Sequence, residues 1–309
     1  MGTALRGLLA LAGLAIVVAG GFVALSQASS GTQPWDPELS DNFVFFRVLP
    51  FVLGFGVVTG LFRVASRREE RRGDSVRRFS LGTVIGHWLI TIGFLLALPT
   101  GLWQYLGGIT DQHIPIPLYL IYRIHYVGAA IVLFSVAYFV AYWWTNGDRS
   151  LWVPRGEWRK HLAGAAHELP PSLGRQLATR LRLDMRERTV PARFTYYETA
   201  ISFPTWTFAL ALITVTGLVK AMRYIYPIPG PLLYIASTLH VAAMILILLK
   251  VLDHLRYTLP RWSLMRAMVS GWISESALRR ILQGEPAAKR SVPETTAPAA
   301  VGALGSSER

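Results

Sequence analysis

Four histidines interrupt otherwise apolar stretches of this 309-residue chain: His87, His125, His240 and His254. An imidazole inside a hydrophobic run is costly to bury, and imidazole is the commonest protein ligand for haem iron. His240 and His254 share one run, Leu232 to Leu259, and stand fourteen residues apart. On a helix that rises roughly 1.5 Å and turns roughly 100° per residue, fourteen steps return to nearly the same face about 21 Å further along. Both imidazoles then look the same way, one near each end of a membrane span.

The elements that carry these residues follow from composition. With 52% hydrophobic residues, 16% charged and a mean hydropathy of +0.37, the chain reads as an all-α polytopic membrane protein. Its formal charge of +13 follows from basic loops on one membrane face and does not indicate a nucleic-acid partner. There is no cysteine, which excludes disulfides, covalent c-type haem attachment and thiolate-held iron–sulfur clusters. Any redox centre must rest on His, Met or carboxylate.

The first apolar run, Ala4 to Leu25, serves equally as a signal peptide cut near Ser26-Gln27-Ala28 or as an anchor, so residues 1–28 are one unit. Residues 29–42 hold three acids and no Lys or Arg, which places them outside. A second run, Phe43 to Phe62, leads into seven arginines against three acids between Arg63 and Arg78, a cytoplasmic loop that closes the unit 29–78. The third run, Leu81 to Tyr105, goes out and the fourth, Leu118 to Trp144, returns. Thr145 to Arg193 carries ten Lys or Arg and five acids, with a surface-lying helix expected over Leu173 to Met185. The fifth run, Ala200 to Val219, goes out again, although its exit loop carries Lys220 and Arg223 against the charge rule. Arginines after His254 put the C-terminus inside, and residues 284–309, rich in Ala, Pro, Ser and Thr, read as a disordered tail. Residues 79–283 are expected to form a four-helix di-haem domain.

By these directions the histidines sort into two depths, His125 with His240 outside and His87 with His254 inside. Two b-type haems stacked across a bundle need that arrangement, each iron taking one imidazole from either side. Gly86, Gly128, Ala236 and Ala243 would let the helices approach the rings, and Arg123 outside and Arg78 inside are candidate donors to the haem propionates. His113, His161 and His167 read as solvated or locally hydrogen-bonded.

The motifs VRRFSLGTVIGHW, IYRIHYVG, the His240 to His254 interval and the tail SLMRAMVSGWISESAL resemble the gamma subunit of membrane-bound formate dehydrogenase. That di-haem cytochrome b family is shared in outline with the cytochrome subunits of nickel–iron hydrogenases, and the resemblance runs from about Val76 to Leu282. It implies His125 and His240 as ligands of the outer haem and His87 and His254 as ligands of the inner one. It also implies a quinone pocket near the inner haem, and an iron–sulfur subunit with a molybdopterin catalytic subunit, or a hydrogenase, on the outer face. The location implied is the bacterial cytoplasmic membrane, with electrons passing between the external enzyme and the quinone pool. The family's quinone motifs are absent from RFTYYETAISF, so Tyr196, Glu198 and Asp253 enter as quinone candidates by depth alone, and Asp253 could equally pair with Arg256. RFSLGTVIGHW and RFTYYETAISF look like the starts of two copies of a helical hairpin, with Ser202 where the first has His87. Two other readings stay open: a transporter or proton channel whose histidines relay protons without haem, and an anchor subunit that carries no electrons.

Overall fold

The computed structural model describes residues 2–29, 37–62, 71–110, 116–146, 150–185, 191 and 193–283. His113, the tail after 283 and the first half of the arginine-rich loop, residues 63–70, lie outside the described residues. Among the described residues, six helices are long and apolar enough to cross a membrane. They are α1 (Thr3–Ser29), α2 (Pro37–Phe62), α3 (Leu81–Ile109), α4 (Leu118–Asn146), α7 (Phe203–Met222, preceded by a π-turn at Glu198–Ser202) and α8 (Gly230–Thr258). Large apolar side chains such as Phe22, Leu95, Phe208, Leu249 and Leu252 point outward from these helices. Such a surface is stable in hydrocarbon and not in water, so the protein is an all-α, multi-pass membrane protein.

The bundle is built from hairpins. α2 lies along α4, and α1 packs on α2. Gly56 and Gly60 make the first approach possible: a Cβ at either would stand 2.5 Å from a carbonyl oxygen, of Phe134 or of Tyr138. Within the α3–α4 hairpin, Gly93 and Gly128 face each other's backbone, while Gly86 faces Tyr138 and Phe139. Gly86 and Gly128 thus serve helix contact inside one hairpin. Ala236 and Ala243 are buried on α8.

At the basic end, β1 (Arg71–Arg72), β2 (Ser75–Arg77) and β3 (Trp272–Ser274) form a small antiparallel sheet in the order β1-β2-β3. Gly271, at φ 82°, turns α9 (Trp262–Ser270) into β3, and its carbonyl accepts from the backbone N–H groups of Arg78 and Phe79. The start of α3 is thereby tied to the chain beyond α8. Helix α10 (Glu275–Leu282) closes this layer with Ile281 and Leu282 buried. α5 (Trp158–Glu168) and α6 (Pro171–Leu181) form a short hairpin at the same end, where one surface helix over 173–185 was expected.

The hairpin α7–α8 repeats α3–α4. Arg193 donates to the carbonyl of Arg78, its counterpart 115 positions earlier, and the same offset takes Ser80 to Thr195, His125 to His240 and Tyr142 to Tyr257. Ser80 Oγ caps α3 by accepting from Thr83 N at 3.1 Å and bonds Tyr142 OH at 2.6 Å. Thr195 Oγ1 accepts from Glu198 N at 3.1 Å and stands beside Tyr257. Between these points the second copy runs one residue ahead, so Thr100-Gly101 matches Thr216-Gly217. The π-turn at Glu198–Ser202 houses that extra residue, because an i to i+5 turn widens a helix by one position.

Candidate cofactor site

The two copies place two histidine pairs at two levels. The distal pair, near the α3–α4 and α7–α8 connections, is His125 on α4 and His240 on α8. Both line one cavity of about 340 Å³ whose walls are largely apolar, among them Phe94, Leu98, Val132, Leu133, Val241 and Met244. Each imidazole is held the same way. Thr100 Oγ1 lies 3.2 Å from His125 Nδ1, which also meets the Ala97 carbonyl at 3.0 Å. Thr216 Oγ1 lies 3.0 Å from His240 Nδ1. With Nδ1 committed to these partners, Nε2 is the nitrogen left to bind a metal. Gly101 and Gly217 let the rings sit there, since a Cβ at either would come within 3.1 Å of the facing Cε1.

The basal pair is His87 on α3 and His254 on α8, with ring centroids 6.1 Å apart and planes inclined by 46°. A metal between two imidazoles needs two bonds of about 2 Å, plus roughly 1 Å from each nitrogen to its ring centre, or about 6 Å in all. The observed separation fits one iron held between them. His87 Nδ1 is buried without a hydrogen-bond partner among the described residues, so this ring is less firmly oriented than those of His125 and His240. Trp88 stands edge-on to His87 at 5.6 Å and donates from Nε1 to the Met268 carbonyl.

Next to the basal pair lies a polar cluster whose main member sequence reasoning missed. Lys250 is 7% exposed within α8 and ion-pairs with Asp253 at 2.8 Å. Its Nζ also reaches Ser202 Oγ at 3.3 Å and Tyr197 OH at 3.4 Å, and Tyr197 OH donates to Asp253. Arg256 takes the other Asp253 oxygen at 2.9 Å, so the pairing with Arg256 is made alongside the one with Lys250. A lysine in an apolar run, one turn before a histidine, was the available signal.

The remaining candidates fall elsewhere. Tyr196 points away from the basal histidines: its ring fits over Gly164, packs with Ala165 and meets His161 edge-on at 5.0 Å. Tyr197, one residue and about 100° further round, faces Asp253 and Lys250 instead. Glu198 accepts two bonds from Arg78 Nη2, at 2.9 and 3.0 Å, and one from Thr195 N. Arg78 is fully buried, and the carboxylate of Glu198 is what it holds; its Nε and Nη1 have no hydrogen-bond partner among the described residues. Arg123 sits over the Tyr119 ring at 5.4 Å and does not line the distal cavity, where the cations are Lys220 and Arg223.

Outside the spans, Glu168 ends α5 and accepts from Tyr196 N at 3.0 Å and Tyr197 N at 2.8 Å, capping the π-turn. Burial raises its proton affinity, and the two backbone bonds act the other way. His161 bonds Thr199 Oγ1 at 3.1 Å, the local role expected of it, and burial lowers its proton affinity.

Membrane-spanning helices that bring histidines together in two pairs, the distal one among apolar walls with both Nδ1 atoms fixed, carry the ligand set of a membrane cytochrome b. Residues 78–271 match the prokaryotic cytochrome b561 family, and the chain belongs to that family. It is therefore a b-type haem protein of membrane electron transport. No curated protein and no solved structure matches the chain.

Proposed function

We propose that this chain is the di-haem cytochrome b subunit of a quinone-linked oxidoreductase complex. Electrons pass between an enzyme docked on the outer face and the quinone pool. The observation that carries the reading is the presence of two histidine pairs at two levels of one bundle, the basal rings 6.1 Å apart and the distal rings in one cavity. Bound b-type haem supplies a one-electron couple at each level. His125 and His240 hold the outer haem, and His87 and His254 the inner. Thr100 and Thr216 fix the tautomer of the outer ligands, and the apolar walls keep water from them.

Beside the inner pair, Lys250 offers a donor in an otherwise apolar span: Asp253 holds its Nζ at 2.8 Å and accepts from the Tyr197 hydroxyl, while its longer bonds to Ser202 at 3.3 Å and Tyr197 at 3.4 Å can be exchanged for a quinone carbonyl. This is the chemistry a quinone carbonyl needs, and it replaces Tyr196 and Glu198 as the core of the quinone site. Basic loops put this end and the C-terminus in the cytoplasm of a bacterial inner membrane. The chain resembles the formate dehydrogenase gamma subunit in its motifs. An iron–sulfur subunit with a molybdopterin enzyme outside is the partner this favours, with a nickel–iron hydrogenase as the variant.

The test is spectroscopic. The purified full chain should hold two haems with a reduced b-type band. His125→Ala and His240→Ala should each remove the outer centre, His87→Ala should remove the inner, and a short-chain quinol should reduce the wild type. Protein that carries no haem refutes the reading and favours a histidine proton relay. Quinone-dependent turnover of the complex that survives His125→Ala with His240→Ala favours a plain anchor.

A further inference from the structure

The distal cavity has a polar end that the histidines do not explain. Gln104, Lys220 and Arg223 line it beyond His125 and His240, and Thr214 lines the same cavity two residues before Thr216. Gln104 Nε2 and Thr214 Oγ1 are buried with no hydrogen-bond partner among the described residues. Lys220, in the last turn of α7, is half-buried and has neither a carboxylate nor a hydrogen-bond acceptor among the described residues; the charge beside it is Arg223, another cation. Arg223 itself is engaged by Tyr224, whose hydroxyl accepts from it and whose ring lies 4.5 Å below its guanidinium. A half-buried cation beside a second one is unfavourable without a counter-anion, and an unpaired buried amide adds to that cost.

The repeat shows where the anion belongs. Gln104 follows Thr100 by four residues and Lys220 follows Thr216 by four. Four residues are about one helical turn. Each threonine that fixes a distal imidazole therefore has a donor one turn nearer the connecting loops, one on each hairpin. Both donors stand on the same side of the two imidazoles. A flat group gripped between the rings, with two carboxylate arms on one edge, would meet one donor with each arm. Lys220 was also a residue that broke the charge asymmetry of the loops, being a cation at the end where cations are otherwise few.

We propose that Lys220 and Gln104 receive the two propionates of the outer haem, and that Lys220 is the fixed charge that raises this haem's reduction potential. The proposal rests on the haem reading above and assigns a positioning role, since the irons are held by histidine. The shared chemistry is an anion at this end of the cavity, and a lipid phosphate is its other possible source.

The experiment is a potentiometric titration of the reduced b-type band, with haem content, on the full chain and on Lys220→Met, Lys220→Arg and Gln104→Leu. Loss of a cation favours the oxidised haem. Lys220→Met should therefore weaken reduction of the outer haem about tenfold, which for one electron is about 59 mV downward, and leave the inner midpoint in place. Lys220→Arg should stay near wild type, and Gln104→Leu should shift the outer midpoint by less than Lys220→Met. Loss of the outer haem alone in Lys220→Met, regained in Lys220→Arg, supports the same assignment. An unmoved outer midpoint at full haem content overturns it and gives the cation to a lipid phosphate, and equal loss of both haems overturns it as well. Wild-type protein without haem would instead sink the underlying reading, so the two failures are distinguishable.

Discussion

Adding one methyl group beside each distal imidazole should disturb one redox centre and spare the other. In Gly101→Ala the new Cβ would lie 3.1 Å from His125 Cε1 and 3.5 Å from its Nδ1. Non-bonded carbons rest at about 3.5–4.0 Å, so the ring must move by roughly 0.4 Å or more. The space behind the methyl is already taken by Met244 Sδ at 3.7 Å, and Met244 is buried. The ring is also tied by Nδ1 to Thr100 and Ala97, so moving it lengthens both bonds. Overpacking of this kind costs roughly 1–3 kcal/mol. Gly217→Ala repeats the geometry on the other hairpin, with its Cβ 3.1 Å from His240 Cε1. Gly107, further along α3, has nothing within 4 Å, so Gly107→Ala is the control and should gain up to about 1 kcal/mol of helix stability. The assay is low-spin electron paramagnetic resonance with a redox titration of each haem. Gly101→Ala and Gly217→Ala should both shift the outer signal and leave the inner one alone. Unchanged spectra in both variants, or a shift confined to the inner haem, would refute the placement of these glycines against the ligands.

Three further outcomes follow from the same contacts. Gly60→Ala drives a Cβ to 2.5 Å from the Tyr138 carbonyl, so α2 must part from α4 at a cost of roughly 1–3 kcal/mol, visible as a lower denaturation midpoint in detergent; an unchanged midpoint contradicts the contact. Lys250→Met leaves Asp253 with Arg256 and Tyr197 but removes its buried partner, which should cost roughly 1–3 kcal/mol and slow quinol oxidation while both haems remain; unaltered quinol kinetics would take Lys250 out of the site. Burial holds the folded-state affinity of His161 for protons below its ordinary value of 6.5. Its contribution to stability is therefore complete above 6.5 and is lost as pH falls through the folded value. His161→Gln should flatten the acid limb of the thermal stability curve, and a limb of equal slope in both proteins would argue against this role.

The polar cluster illustrates how depth alone leaves the choice between neighbouring residues open. Tyr196 and Tyr197 have nearly the same depth, yet one faces α5 and the other Asp253. Adjacent residues differ by about 100° around a helix, and the π-turn that follows them resets that angle for the rest of α7. Neither effect leaves a mark on hydropathy. Arg78 was chosen for its charge and depth as well, but Glu198, 120 residues away, holds it.

Spans, their order and the depth of each histidine were set by local quantities: the length of each apolar run, its charged flanks and the fourteen-residue step between His240 and His254. These survive into the fold because a bilayer requires every span to bond its own backbone and to show lipid an apolar face. Rotation of each helix about its axis answers to no such local rule. It is decided where glycines let backbones meet, as Gly60 meets Tyr138, and where caps such as Ser80 and Thr195 lock the start of a hairpin. Only that packing put Gly101 and Gly217 against the distal imidazoles, brought Lys220 and Gln104 to one end of their cavity, and turned Lys250 toward Tyr197.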